Sequence, residues 1–61
     1  MKNLREKFLS IYADIPETLR KEIIAVVDGK TFTWDSSYFE IRNNTKFSEK
    51  ILNTLNDTSI I

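Results

Sequence analysis

The 61-residue chain has no cysteine and no histidine, and it has only one glycine and one proline. Without cysteine there is no disulfide, no thiolate nucleophile and no cysteine-based metal site. Without histidine there is no imidazole base and no zinc site of the common His/Cys type. One glycine is too few for the glycine-rich loops that cradle phosphates. The most recognisable catalytic and metal-binding motifs are therefore excluded.

The chain also lacks an excess of either charge and any long apolar segment. Nine Lys/Arg balance nine Asp/Glu, whereas a protein that binds nucleic-acid phosphates normally has a clustered basic footprint. The longest apolar run, Ile23–Val27, is far shorter than the ~20 residues of a transmembrane helix. Residues 1–7 are charged and lead into no apolar segment, so we expect no secretory signal. We therefore predict a cytoplasmic protein that does not enter a membrane.

What the chain does have is an ordinary globular composition, with 41% hydrophobic and 30% charged residues. Its length predicts one small domain over residues 1–61. A chain this short buries only about 60% of its unfolded surface, so its hydrophobic core is thin. Tight packing or self-association must supply the remaining stability.

The first third of the chain has apolar residues at the spacing of a helix, followed by a proline that ends it. A helical stripe predicts a helix over about 3–13 and consists of Leu4, Phe8, Ile11, Tyr12 and Ile15. Pro16 ends that helix, because its ring clashes with the preceding turn. A short helical segment over about 16–21 is expected next, with Asp14 and Glu17 at capping-box spacing.

The middle of the chain predicts a β-hairpin. Two strand-like segments flank Asp28-Gly29, which is the strongest short signal for a type I′ turn. A two-residue loop fixes the register. The predicted pairs are Val27–Lys30, Val26–Thr31, Ala25–Phe32, Ile24–Thr33 and Ile23–Trp34. One face then carries Ile23, Ala25, Val27, Phe32 and Trp34, and the other carries Glu22, Ile24, Val26, Thr31 and Thr33.

The last third is helical in our interpretation, although residues 35–42 also fit a third strand. As a helix, this segment has Asp35 as its N-cap and places Tyr38 and Ile41 on the side of Trp34. Asn43-Asn44 suits a left-handed helix end. Thr45 then caps a helix over about 46–56. Its apolar stripe consists of Phe47, Ile51, Leu52 and Leu55, and a short apolar tail, Ile60-Ile61, follows.

These elements predict an α+β fold, a single small domain whose helices flank one β-hairpin in the order α, short α, β, β, α, α. Residues 15–30, together with Thr33-Trp34 and Asn43-Asn44-Thr45, resemble small uncharacterised archaeal proteins. The resemblance spans most of the chain. It implies no assigned activity and supplies no catalytic or binding residue.

Candidate catalytic groups are few and have simpler structural roles. The carboxylates that flank the second and third segments are Glu17, Glu22, Asp35 and Glu40, and we expect surface or capping roles for them. Ser36-Ser37 lacks a histidine base and fits the first turn of a helix. We therefore predict no enzyme activity, no catalytic residue, no cofactor and no metal site.

An aromatic cluster permits two interpretations. Phe32, Trp34, Tyr38 and Phe39 fit most of a small core, which is the interpretation we favour. The alternative is a stacking surface for single-stranded nucleic acid. Its residues are Lys30, Trp34, Tyr38 and Arg42.

The sequence is most consistent with a non-enzymatic protein-interaction module that self-associates as a homodimer, with an unidentified protein as a further partner. The candidate surface is the second hairpin face, because its apolar residues have only threonines beside them. It consists of Ile24, Val26, Thr31 and Thr33. The alternative function is a small nucleic-acid-associated regulatory protein.

Overall fold

Three α-helices and one two-stranded hairpin form the structure, a computed structural model that describes residues 3–61. The radius of gyration, 10.4 Å, is that of a compact chain of this length. The elements confirm the expected α+β fold. They are α1 Leu4–Asp14, a 3₁₀ helix Glu17–Leu19, β1 Ile23–Val27, β2 Lys30–Thr33, α2 Trp34–Arg42 and α3 Ser48–Asp57.

The helix α1 begins and ends for local reasons. The Asn3 side chain caps it by accepting a 2.8 Å hydrogen bond from the Glu6 N–H. Ile15 is extended, as the residue before a proline prefers, so the helix stops there. The predicted capping box between Asp14 and Glu17 is wrong, because Pro16 precedes the 3₁₀ helix and no side chain caps it. That short helix is also shorter than expected.

The hairpin turns at the predicted residues. Asp28 and Gly29 both have positive φ, 52° and 79°, as a type I′ turn requires. The three pairs nearest the turn are also confirmed: Val27–Lys30, Val26–Thr31 and Ala25–Phe32.

Farther from the turn the register shifts, and the two remaining predicted pairs are wrong. Ile23, not Ile24, pairs with Thr33, so Ile24 is the extra residue of a β-bulge. The physical reason is that β2 ends at Thr33, because Trp34 already begins α2 and is unavailable as a strand partner. Ile23 consequently leaves the buried face and is 61% exposed, whereas Ile24 packs against the core.

The helix α2 settles the ambiguity of residues 35–42 in favour of a helix. Its N-cap is Thr33, not the predicted Asp35. The Thr33 hydroxyl accepts from the Ser36 N–H at 3.1 Å, and the Ser36 hydroxyl accepts from the Thr33 N–H at 2.7 Å. The left-handed end is confirmed at Asn44, with φ 53°.

The helix α3 starts at Ser48, two residues later than predicted. Thr45 does not cap it from the N-cap position but organises the preceding turn, where its carbonyl accepts from the Ser48 N–H. At the other end Ser59 is left-handed, with φ 62°, and the Ile60 N–H bonds back to Leu55. This return buries Ile61 against the core.

The core lies between the inner face of the hairpin and the three helices. The helix α3 packs on β1 and also contacts α1 and α2. The buried apolar residues are Phe8, Ala25, Val27, Phe32, Trp34, Ile41, Ile51, Leu55 and Ile61. The predicted aromatic core is wrong at Phe39, because this residue is 61% exposed on α2.

Candidate interaction surfaces

The side of the hairpin that faces away from the core is uncharged and partly apolar. Val26 is 62% exposed beside its exposed partner Thr31. The bulge brings Ile23 to the same side, beside its half-buried partner Thr33. These four residues, Ile23, Val26, Thr31 and Thr33, form what we call the outer hairpin face.

The outer hairpin face differs from the predicted surface at one residue. Val26, Thr31 and Thr33 belong to it as expected, but Ile24 does not, because its half-buried side chain packs against the core. Ile23 takes its place. Strict alternation along β1 could not predict that Ile23 replaces Ile24 on this face. A β-bulge adds one residue to the strand, so every side chain beyond it moves to the opposite face of the sheet.

The sheet also leaves backbone edges open. Among residues 3–61 it contains two strands, so each strand has one edge without a strand partner. Lys30 lies at the start of β2, and charged residues of this kind discourage pairing with another chain. The five residues of β1 carry no charge, so its edge lacks this protection.

The four residues of the nucleic-acid alternative are not brought together. Trp34 is only 8% exposed, so it offers no ring face to a base and belongs to the core. The Lys30 ammonium lies 5.1 Å from the Phe47 ring centroid. Arg42 instead lies over Tyr38, at 6.0 Å. The cations and rings therefore divide between two separate clusters.

One of these clusters joins α1, α2 and the segment between them. The Tyr12 and Tyr38 rings are stacked with centroids 4.3 Å apart. The Arg20 guanidinium lies 4.4 Å from the Tyr12 centroid, and the Tyr12 hydroxyl donates to Asp35 at 2.7 Å. Burial and this hydrogen bond raise the pKa of the Tyr12 phenol, while the Arg20 charge lowers it. These contacts hold α1, α2 and the segment around Arg20 together. We call the four residues Tyr12, Arg20, Asp35 and Tyr38 the clamp.

The second cluster surrounds Phe47 at the turn end of the hairpin. Lys30 and Lys46 place their ammonium groups 5.1 and 5.4 Å from the Phe47 ring centroid. Lys50 and Asp28 form a 2.7 Å ion pair at its side. Sequence reasoning missed this cluster. The only signal in the sequence was that Lys46 and Lys50 are four residues apart. No local pattern indicated that the hairpin turn lies beside them.

The predicted polar candidates have structural roles or lie in solvent. Glu17 and Glu22 are exposed. The Glu40 carboxylate accepts a 2.7 Å hydrogen bond from the Thr45 hydroxyl, which ties α2 to the following turn. Within residues 3–61 no three carboxylates come close enough together to hold a metal ion.

Comparisons with known proteins add no assignment. None of the helices between Asn3 and Ile61 is long and apolar enough to cross a membrane. The resemblance to small archaeal proteins stays a prediction. A scan against protein-family models, a search of curated proteins and a search of solved structures each found no match to this chain.

Proposed function

We propose that this protein is a non-enzymatic interaction module that forms a symmetric homodimer through the outer hairpin face. The observation that carries the proposal is the exposure of two β-branched side chains, Ile23 at 61% and Val26 at 62%, on a strand without charges. Burying such side chains is favourable, at about 25 cal/mol per Å² of apolar surface. A partner that covers both therefore stabilises the domain.

A second copy of the chain is the partner that this surface fits best. In a two-fold contact the same patch faces itself, so an uncharged patch meets no like charge. The Thr31 hydroxyl can form a hydrogen bond across such an axis or stay hydrated, whereas the Thr33 hydroxyl is already engaged in the cap of α2. The surface offers no charge that would select a different, charged protein.

The dimer should be weak. A standard stable interface buries about 800 Å² on each partner, and four short side chains on a two-stranded sheet offer much less. We therefore expect a dissociation constant between ~10 μM and ~1 mM, in the range of transient contacts. The open edge of β1 lies beside the same face, and pairing there would add to the contact area.

The non-enzymatic part of the proposal rests on residue types and contacts. There is no histidine or cysteine, and the carboxylates of Asp35 and Glu40 accept structural hydrogen bonds. A cytoplasmic location and a further protein partner also stay predictions. The alternative role as a nucleic-acid-associated regulator has no support from Lys30, Trp34, Tyr38 and Arg42 as a group.

Sedimentation equilibrium from ~10 μM to ~1 mM tests the proposal. The average mass should rise from 7.2 kDa toward twice that value. Val26→Lys should stay folded, because Val26 is exposed. It should also stay monomeric, because it places like charges at the two-fold axis. Phe39→Lys is the matched control, since Phe39 is equally exposed but lies on α2, and it should still dimerise. A constant mass of 7.2 kDa, or equal loss in both variants, would contradict the proposal.

A further inference from the structure

Two lysines, Lys30 and Lys46, lie over one half-buried aromatic ring at the turn end of the hairpin, and a third, Lys50, lines the cavity beside it. The Lys30 and Lys46 ammonium groups lie 5.1 and 5.4 Å from the Phe47 centroid. Lys46, Phe47, Lys50 and Asp28 line an open cavity of about 340 Å³. We call the five residues Asp28, Lys30, Lys46, Phe47 and Lys50 the basic cluster.

The fold, and not the local sequence, builds the basic cluster. Asp28 and Lys30 belong to the hairpin turn and the start of β2. Lys46 and Phe47 lie in the turn before α3, and Lys50 lies in its first turn. Phe47 is held from one side by Phe32, whose ring centroid is 5.5 Å away at a tilt of 52°. The ring is thus fixed between the two elements.

The basic cluster carries an excess of positive charge in a chain whose net charge is zero. The five residues hold three ammonium groups and one carboxylate, Asp28, and the exposed Glu49 in the first turn of α3 is a second carboxylate nearby, so the excess is one positive charge. Both partners of the Lys50–Asp28 pair are more than half exposed, so water screens the pair and its contribution is small. Lys50 can therefore exchange Asp28 for another anion at little cost.

An anion with an attached ring satisfies both parts of this site. Lysine ammonium groups bind phosphate as point charges. A base that stacks on Phe47 takes the place of the Lys30 and Lys46 ammonium groups over the ring, which then turn toward the phosphate. Base–aromatic stacking tolerates every base, because each has a π-face. Among residues 3–61 no side chain caps the start of α3, so its dipole adds positive potential beside the lysines, which Glu49 in the first turn partly offsets. A cavity of about 340 Å³ lies at the small end of the range of ligand sites.

We infer that the basic cluster binds one nucleotide unit, with its base against Phe47 and its phosphate among Lys30, Lys46 and Lys50. A free nucleotide and one residue of a single-stranded nucleic acid share this chemistry. The site is separate from the outer hairpin face, so it stands or falls independently of dimerisation.

Amide chemical shifts, followed during titration, test the inference with four probes: thymidine monophosphate, thymidine, inorganic phosphate and a thymidine hexanucleotide. The monophosphate should shift the amides of Lys46, Phe47 and Lys50 and bind more tightly than either phosphate or thymidine alone. If the hexanucleotide binds more tightly than the monophosphate, the ligand of this site is a single-stranded nucleic acid. If the two bind equally, the ligand is a free nucleotide. For the hexanucleotide, the logarithm of affinity should fall with the logarithm of salt with a slope of about −0.7, as one phosphate contact on a single strand predicts.

Variants separate the two halves of the site. Lys46→Gln should weaken the monophosphate about fivefold, because it removes one of the ammonium groups around the phosphate. Phe47→Leu keeps an apolar side chain against Phe32, and it should weaken the monophosphate about fivefold but leave inorganic phosphate unchanged. Lys21→Gln is the control. It removes the same charge beside Glu17 and Thr18 and should leave the affinities for the monophosphate and for inorganic phosphate unchanged.

Four results would overturn the inference. They are an absence of shifts around Phe47, equal affinity for inorganic phosphate and the monophosphate, equal weakening by Lys21→Gln and Lys46→Gln, or a glutamate peptide that binds as tightly as the hexanucleotide. The last result would assign the basic cluster to an acidic protein segment instead.

Discussion

The Tyr12 hydroxyl donates a 2.7 Å hydrogen bond to Asp35 Oδ1 and so joins the end of α1 to the first turn of α2. The two residues are 23 positions apart. The Tyr12 ring also stacks on Tyr38 and carries Arg20 above it. The backbone reinforces the link, because the Asp35 N–H donates to the Arg20 carbonyl at 3.1 Å. This clamp orients the two helices that close the core beside Trp34.

The clamp predicts a loss of stability at high pH. Burial and the bond to Asp35 raise the pKa of Tyr12 above its ordinary value of 10.0, so folding favours the neutral phenol. This contribution is fully present below pH 10 and is lost as the pH rises through the folded-state pKa. Tyr12→Phe should cost about 0.5–1.5 kcal/mol at pH 7 in urea melts, and the difference from the parent should shrink above pH ~10.

Tyr38→Phe is the control for this titration, because it changes the stacked ring but leaves the bond between Tyr12 and Asp35 in place. At pH 7 it should cost less stability than Tyr12→Phe does, because that hydrogen bond is kept. A Tyr12→Phe difference that grows with pH would contradict the assignment.

The bulge in β1 predicts opposite effects at two neighbouring residues. Ile24→Lys should destabilise the fold by about 2 kcal/mol, because Ile24 packs against the core. Ile23→Lys should change stability by no more than about 0.5 kcal/mol, because Ile23 is exposed. Urea midpoints of the two monomeric variants at low concentration measure the difference. The reverse order would indicate a regular ladder in which Ile23 faces the core.

The turn predicts an effect of backbone strain without a clash. A Cβ at Gly29 would meet no atom of the described residues within 4 Å, but φ is 79°. Gly29→Val should therefore cost about 1–3 kcal/mol through strain alone. Gly29→Asn should cost less, since asparagine tolerates this region. Thermal or urea melts compare them, and equal costs for both variants would exclude the type I′ geometry.

The buried hydroxyl of Ser37 predicts a stabilising substitution. Ser37 is 0% exposed on α2, and its Oγ has no hydrogen-bond partner among residues 3–61. An unsatisfied buried hydroxyl costs about 1–3 kcal/mol, and alanine is the better helix former. Ser37→Ala should raise the free energy of unfolding by about 1 kcal/mol. Ser36→Ala, which removes a capping hydroxyl, should lower it, and a destabilising Ser37→Ala would reveal a partner for Oγ.

Local signals in the sequence were sufficient for most of the fold. The helical stripe around Phe8, the turn at Asp28-Gly29 and the left-handed end at Asn44 each act within a few residues, and each was predicted. The errors occurred where two local preferences compete. Alternation predicts a regular strand at Thr33, but its hydroxyl also caps α2, and the earlier start of that helix shortens the ladder and creates the bulge.

The candidate surfaces were less predictable, because they depend on contacts between distant residues. Three of the four residues on the outer hairpin face follow from alternation, but Ile23 depends on the bulge. The basic cluster joins the hairpin turn to residues 46–50, for instance through the ion pair of Asp28 and Lys50 across 22 positions. No spacing rule connects residues that only the tertiary fold brings together.

Intermolecular contacts at the outer hairpin face test the central proposal most directly. In a mixture of isotope-labelled and unlabelled protein near 1 mM, isotope-filtered nuclear Overhauser spectra detect only contacts between copies. Our account predicts that the Ile23 and Val26 methyl groups of one copy contact the same groups of the other. Spectra without intermolecular contacts, or with contacts only at Phe39 or another surface, would contradict it.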